Sequence, residues 1–436
     1  MSLDVHAEIT LDIEKPAAGG WMLARHEGQV VLVRGAIPGE RVRARIDRVG
    51  RGVAYAEVED VLAPSPDRRE AADWRCGGSV FAHIAYERQR QLKGEILRDA
   101  LGRIGRLRLA AAPEVMLSPE RGYRMRARLH ARYGRLGFVR EGTHEVCDAA
   151  STGQLLPATE EWIVAAERFL ARGRLSGLLG IELAENVAAD QRACHLELQA
   201  GVDATAFAPL AADGALVGLS AERADRPGLA ILAGTPVVSD VLHVRAGDPA
   251  TALRLRRDVR AFFPGNRFLL EPLVRHVAAL VPPGPVVDLY SGVGLFGLAL
   301  AAIGREQVTL VEGDRVSGES LRENAEAFGA RVRVEPRSVE AFLDREGVRR
   351  GGAGASLGGS TCLVDPPRTG LSREARDGIV RSRPARLVYV SCDVATLARD
   401  TRALLEAGYE LAGLTGIDLF PNTAHVETVA VFASAR

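Results

Sequence analysis

At 436 residues, with 47% hydrophobic content and a formal net charge of zero, the chain has apolar material for two or three globular domains. The neutral balance excludes a uniformly basic nucleic-acid coat, so any nucleic-acid contact has to come from a local patch. Five cysteines, an odd number without a C-x-x-C pair, speak against a disulfide scaffold and for a reducing compartment.

Arginine carries nearly all the positive charge, since Lys15 and Lys93 are the two lysines. A GC-rich coding bias accounts for this better than RNA binding does, so the arginine count decides nothing. The first residues show no basic region followed by an apolar run, and no stretch approaches 18 apolar residues. A cytoplasmic protein without a membrane span is expected.

Residues 7 to 62 alternate apolar and polar positions in Ile9–Ile13, Gln29–Val33, Arg41–Ile46 and Ala54–Val58, separated by turns such as Ile37-Pro-Gly-Glu40. This pattern predicts a small antiparallel barrel over residues 1–62. Residues 62–75 read as a linker and 86–102 as a helix. Seven arginines and no acids lie between Arg121 and Arg140, and Arg124, Arg126, Arg128, His130 and Arg132 share one face of a strand. That face suits either phosphate contacts or plain solvation. Residues 63–255 make an α+β middle domain, in which 86–115 could pack on the catalytic part.

From residue 256 to 436, strand-like runs at Pro285–Tyr290, Val308–Gly313, Arg331–Val334, Cys362–Asp365 and Arg386–Ser391 alternate with helix-like runs such as Ser317–Phe328 and Ala395–Ala407. This is the βαβ rhythm of an α/β, Rossmann-like doubly wound sheet. The Gly-rich run from Arg349 to Ser360 reads as a flexible insertion.

Gly292-Val-Gly-Leu-Phe-Gly297 follows a predicted strand and opens a predicted helix, and Glu312 ends the next strand 20 residues later. Such a loop lets backbone approach a nucleotide-type cofactor while the acid accepts ribose hydroxyls, for NAD and S-adenosylmethionine alike. Cys392 ends a predicted strand at the carboxyl edge of the sheet, where sites of such folds lie. Cys194 and Cys362 read as buried small hydrophobes.

Asp288-x-Tyr-Ser-Gly-x-Gly294, Asp365-Pro-Pro-Arg368, Ser391-Cys-Asp393 and Phe420-Pro-Asn-Thr-Ala-His-Val-Glu427 together resemble the RNA (uracil-5-)-methyltransferases. Val33-Arg-Gly-Ala-Ile-Pro-Gly-Glu-Arg-Val42 resembles a TRAM domain, an OB-like RNA-binding barrel. The resemblance implies a class I methyltransferase sheet that transfers methyl from S-adenosylmethionine to carbon 5 of a uridine in structured RNA. Cys392 is the implied nucleophile and Glu427 the implied base. Tyr290, Gly292, Gly294, Glu312 and Asp365 are the implied cofactor contacts, and His425 stands beside the site or in the framework. 23S ribosomal RNA is the first expected substrate and transfer RNA the second. Neither a membrane nor an obligate protein partner is implied.

The chain departs from the family pattern at Pro264, where a cofactor-contacting glutamine is expected, and at Leu295, where asparagine is frequent. Asp393 replaces the usual asparagine and puts a negative charge beside the nucleophile. Relatives with a TRAM domain often hold an iron–sulfur cluster on four cysteines; here Cys76 alone keeps a ligand position, so neither iron nor structural zinc is expected. A decayed RNA-binding or assembly protein is the alternative from another class, with a nicotinamide oxidoreductase third.

Overall fold

In the computed structural model, residues 3–434 are described except 71–72, 141, 215 and 349–356. Most of the Gly-rich insertion expected to be flexible therefore lies outside the described residues.

Five strands, β1 (Glu8–Pro16), β2 (Met22–His26), β3 (Gln29–Arg34), β4 (Arg41–Gly50) and β5 (Val53–Ala63), close into a barrel in the order β1-β2-β3-β5-β4. Alternation drives it: Val42, Ala44 and Ile46 of β4 are fully buried, and the arginines between them face out. The barrel core continues into helix α1 (Tyr86–Arg103) through Leu92, Ile96 and Leu97. Strand β6 (Val115–Met116) then joins the edge of the catalytic sheet.

The middle sheet holds β7 (Arg126–Arg132), β8 (Arg135–Val139) and β9 (Val146–Asp148), then helix α2 (Pro157–Arg172) and strands β10 (Leu178–Glu185), β11 (Arg192–Leu198), β12 (Gly218–Arg223) and β13 (Arg226–Gly234). A two-stranded ribbon follows, β14 (Val237–His243) with β15 (Ala252–Asp258). Two buried ion pairs hold this region: Arg257–Asp240 at 2.9 Å joins β15 to β14, and Arg267–Glu185 at 2.5 Å ties the end of β10 to the segment that follows β15.

After helix α3 (Leu270–Leu280) the chain alternates β16 (Val286–Leu289), α4 (Leu295–Ala302), β17 (Val308–Glu312), α5 (Arg315–Ala325), β18 (Val332–Pro336), α6 (Val339–Val348), β19 (Thr361–Val364), α7 (Arg373–Ser382), β20 (Arg386–Ser391), α8 (Val394–Glu406), β21 (Tyr409–Ile417) and β22 (Glu427–Ser434). The sheet order is β18-β17-β16-β19-β20-β22-β21-β6. Strands β16 and β19 are buried at every position, as strands covered by helices on both faces must be. Strand β22 runs antiparallel to both neighbours, so the chain returns into the sheet between β20 and β21.

The odd cysteine count pointed away from disulfides, and the structure corrects this: Cys76 is bonded to Cys147 with Cα atoms 5.9 Å apart. The turn after the linker lies along β8, where the Gly77 amide donates to the Val139 carbonyl at 3.0 Å, and this brings the two thiols together. Cys194, Cys362 and Cys392 stay free.

Candidate active site

The loop after β16 is built around Asp288. Its carboxylate is buried, and Oδ2 accepts the Gly297 amide at 2.9 Å. Oδ1 has no hydrogen-bond partner. Burial pushes this carboxyl well above the carboxylate range, and the nearby Asp365 and Glu312 add to the rise. Tyr290 turns the chain with φ at 61°, a left-handed conformation costly for a non-glycine residue.

The three glycines do different work. A Cβ on Gly292 would meet nothing within 4 Å, so its backbone borders open space. One on Gly294 would stand 2.5 Å from Leu298 Cδ1, and one on Gly297 would stand 2.1 Å from Leu310 Cδ2. Gly297 lets the helix lie close to the sheet, and Gly294, at φ 99°, lets the turn into the helix pass under Leu298 and Leu321. Glu312 ends β17 and accepts the Gly292 amide at 2.8 Å and the Asp314 amide at 2.6 Å. Burial raises its pKa. Open space at Gly292, an unsatisfied buried oxygen on Asp288 and a carboxylate on the next strand fit a nucleotide-type cofactor. Leu295 is buried at the start of α4, so no hydrogen-bonding side chain takes its place.

The second half of the site follows from strand register. Ser391 pairs with Thr428 across antiparallel β20 and β22. The next residue along β20 is Cys392, and Glu427 precedes Thr428, so the two meet at one edge of the sheet. Asp365 leaves β19 at the same edge. Glu427 is buried, Cys392 and Asp365 are half-buried, and Arg368 and His425 are exposed.

Cys392 and Glu427 both feel the charge of Arg368, and Asp365 acts on each of them. Burial pushes the Cys392 thiol up to about 12; Glu427 and Asp365 oppose its ionisation, while Arg368 favours it by charge and by a hydrogen bond. Burial and Asp365 raise Glu427 well above its ordinary range, against the pull of Arg368. Burial also lifts Asp365, to about 7. His425 is held down at about 4 by the surrounding protein and by the charges of Arg368 and Lys93. It is neutral near pH 7, able to donate or accept a hydrogen bond but not to act as a cation.

Asp393, beside Cys392, points its side chain to the helix that follows. Its side chain accepts the Thr396 amide at 2.8 Å as the N-cap of α8. Arg368 is the important residue that sequence reasoning left without a role, although it closes the Asp365-Pro-Pro-Arg368 run. The arginine face of β7 is partly neutralised: Arg126 pairs with Glu182 at 3.0 Å and Arg128 with Glu197 at 2.6 Å. Among the described residues no group of His, Cys, Asp and Glu is arranged to hold a metal ion, and no helix is long and apolar enough to cross a membrane.

A Rossmann-like sheet with an antiparallel last strand and this cofactor loop defines a class I, S-adenosylmethionine-dependent methyltransferase. The tRNA (Uracil-5-)-methyltransferase family model matches residues 280–435, and the TRAM domain model matches residues 4–58. The chain is 32% identical to the 23S rRNA (uracil(1939)-C(5))-methyltransferase RlmD of Pseudomonas putida, over 97% of this chain and 93% of that protein. It is 31% identical to an uncharacterized RNA methyltransferase of Streptomyces avermitilis, over 98% of each chain. Among solved structures, the tRNA (uracil-54, C5)-methyltransferase of Pyrococcus abyssi, in complex with S-adenosyl-L-homocysteine, shares the fold. Its TM-score is 0.75 at 23% identity, with 97% of this chain and 99% of that one covered. The chain belongs to the RNA (uracil-5-)-methyltransferase family.

Proposed function

We propose that this enzyme methylates carbon 5 of a uridine in 23S ribosomal RNA through a covalent bond between Cys392 and carbon 6. The observation that carries the reading is the β20–β22 register, which sets Cys392 against Glu427 with Asp365 and Arg368 beside them. Likeness over nearly the whole chain to 23S rRNA methyltransferases supports the substrate; transfer RNA is the second choice. The cytoplasm, where ribosomal RNA is made and modified, is the compartment that goes with this substrate. We divide the chain into an RNA-binding barrel (1–62), a middle domain (63–255) and a catalytic domain (256–436).

Carbon 5 of uracil is too electron-poor to attack a methyl donor unaided. Addition of the Cys392 sulfur to carbon 6 moves the ring electrons onto the carbon 4 oxygen and makes carbon 5 nucleophilic. The resting thiol is protonated; it gives its proton to solvent as the sulfur adds, and Arg368 is the group placed to stabilise the thiolate. Gly292, Glu312, Tyr290 and Asp365 would hold S-adenosylmethionine, which would supply the methyl group as an electrophile and leave as S-adenosylhomocysteine. Glu427, which has to be ionised for this step and which Arg368 pulls that way, then takes the carbon 5 proton, the carbon 5–carbon 6 double bond reforms, and the bond to Cys392 breaks with its electron pair returning to sulfur. A uridine stacked in a helix cannot present both ring carbons to this half-buried edge, so the base has to leave its stack.

The test is tritium release from unmodified 23S ribosomal RNA and, separately, transfer RNA carrying 5-tritiated uridine, with S-adenosylmethionine present. Release from the ribosomal pool that disappears in Cys392→Ala is expected. Undiminished release by Cys392→Ala would remove the covalent mechanism, and release from transfer RNA alone would reverse the substrate order.

A further inference from the structure

Helix α1 lies more than 300 residues before the catalytic loop in sequence, yet it forms the floor of that loop. Lys93 on α1 is wholly buried and donates to Asp418 Oδ1 at 2.5 Å and to the Phe420 carbonyl at 3.0 Å. One turn earlier, Gln89 exchanges two hydrogen bonds with Asn422: its Nε2 donates to Oδ1 at 2.9 Å, and the Asn422 amide donates to its Oε1 at 3.0 Å. Asn422 is held at φ 63°, a left-handed turn. Thr423 Oγ1 donates to the Phe420 carbonyl and accepts the His425 amide, so the restraint runs on towards Glu427.

A buried ion pair is an expensive way to hold two elements together. Its desolvation cost roughly cancels its Coulomb gain, and apolar residues of the same volume often stabilise as well or better. Burial alone drives the Lys93 ammonium towards neutrality, and Asp418 opposes this. What the pair adds is geometry, because Lys93 also grips a backbone carbonyl seven residues before Glu427. We propose that Lys93 is a positioning residue for the base: with Asp418 it sets the loop that brings Glu427 to carbon 5 of the uracil. The inference rests on the covalent reading above. Proton removal and release of Cys392 then depend on Lys93, whereas cofactor binding and the first bond to carbon 6 depend on it little.

The test uses the full-length chain, unmodified 23S ribosomal RNA and methyl-tritiated S-adenosylmethionine, and follows the denaturant-stable protein–RNA adduct. Lys93→Met and the apolar double variant Lys93→Met/Asp418→Leu are compared with Glu427→Gln and Cys392→Ala. Both Lys93 variants should bind the cofactor as the wild type does and form labelled adduct, but release it about 10²-fold more slowly, as Glu427→Gln does. The double variant keeps the test decisive if the single one unfolds, since it leaves no unpaired buried charge. Release at the wild-type rate by the double variant overturns the positioning role, and so does a loss of adduct formation equal to the loss of release. An adduct in Cys392→Ala, or none in Glu427→Gln, overturns the covalent reading itself.

Discussion

Cys392 and Glu427 face each other because β22 enters the sheet antiparallel to β20, with Ser391 opposite Thr428. A parallel last strand would deliver its first residue to the opposite edge. Cys392 and Glu427 are thus spaced by a hydrogen-bonded ladder, and burial first, then the charges around them, sets their protonation.

Among the described residues Arg368 is the cation that acts on both Cys392 and Glu427. Arg368→Met should slow adduct formation by about 10²–10³-fold, the usual cost of losing one donor that stabilises developing charge. Removing the cation raises the thiol pKa further above about 12, so adduct formation should fall by a similar factor at every pH from 6 to 10. Single-turnover rates equal to those of the wild type across that range would count against this role.

Asp365 binds its proton more tightly folded than unfolded, its pKa rising from 3.8 to about 7. Between those values the native state holds more protons than the unfolded one, so cofactor-free stability contributed by this group falls as pH rises. Asp365→Asn removes that slope. Urea unfolding should show the variant gaining on the wild type between pH 5 and pH 8; a constant difference at both values would show that the group is not perturbed.

Gly292 and Gly297 are separated by the space each faces. Gly297→Ala puts a methyl group against Leu310 and Asp288 and should cost about 1–3 kcal/mol of stability. Gly292→Ala meets open space but sits at φ 57°, so it should cost about 1 kcal/mol and weaken S-adenosylhomocysteine binding more than folding. Melting curves and calorimetric titration of the two variants check the contrast, and a similar stability loss at both would refute it.

The Cys76–Cys147 bond closes a loop of 71 residues, which in the chain-entropy account stabilises by about 4 kcal/mol. Cys76→Ser should lower the guanidinium midpoint of the oxidised protein and leave that of the reduced protein nearly unchanged. Thiol titration of the unfolded oxidised chain should find Cys194, Cys362 and Cys392 and no others. Five free thiols under those conditions would mean the bond does not form.

Much of the framework was legible in local sequence. Alternation in Arg41–Ile46 pointed to a barrel strand, and the strand–glycine loop–helix run around Gly292 pointed to the cofactor site, because each depends on neighbouring residues alone. Helix and strand ends shifted by a few residues where capping decided them, as at Asp314, which accepts the Ser317 amide and starts α5 earlier than periodicity suggested. The barrel strand Met22–His26 escaped notice, since one short run between glycines and a turn gives little alternation to read.

What the sequence determined by itself were the residue types of the site and the elements that carry them, since period and motif are properties of contiguous chain. The tertiary structure alone decided which of them meet: Glu427 against Cys392 through an inserted antiparallel strand, Lys93 beneath Asp418, Asp393 turned to its helix, and Cys76 bonded to Cys147. Each of these contacts, Asp393 excepted, joins parts of the chain brought together by packing and strand register. The turn of Asp393 is set by where α8 begins. Burial then moved the ionisation of Cys392, Glu427 and Asp365, and burial belongs to the folded whole.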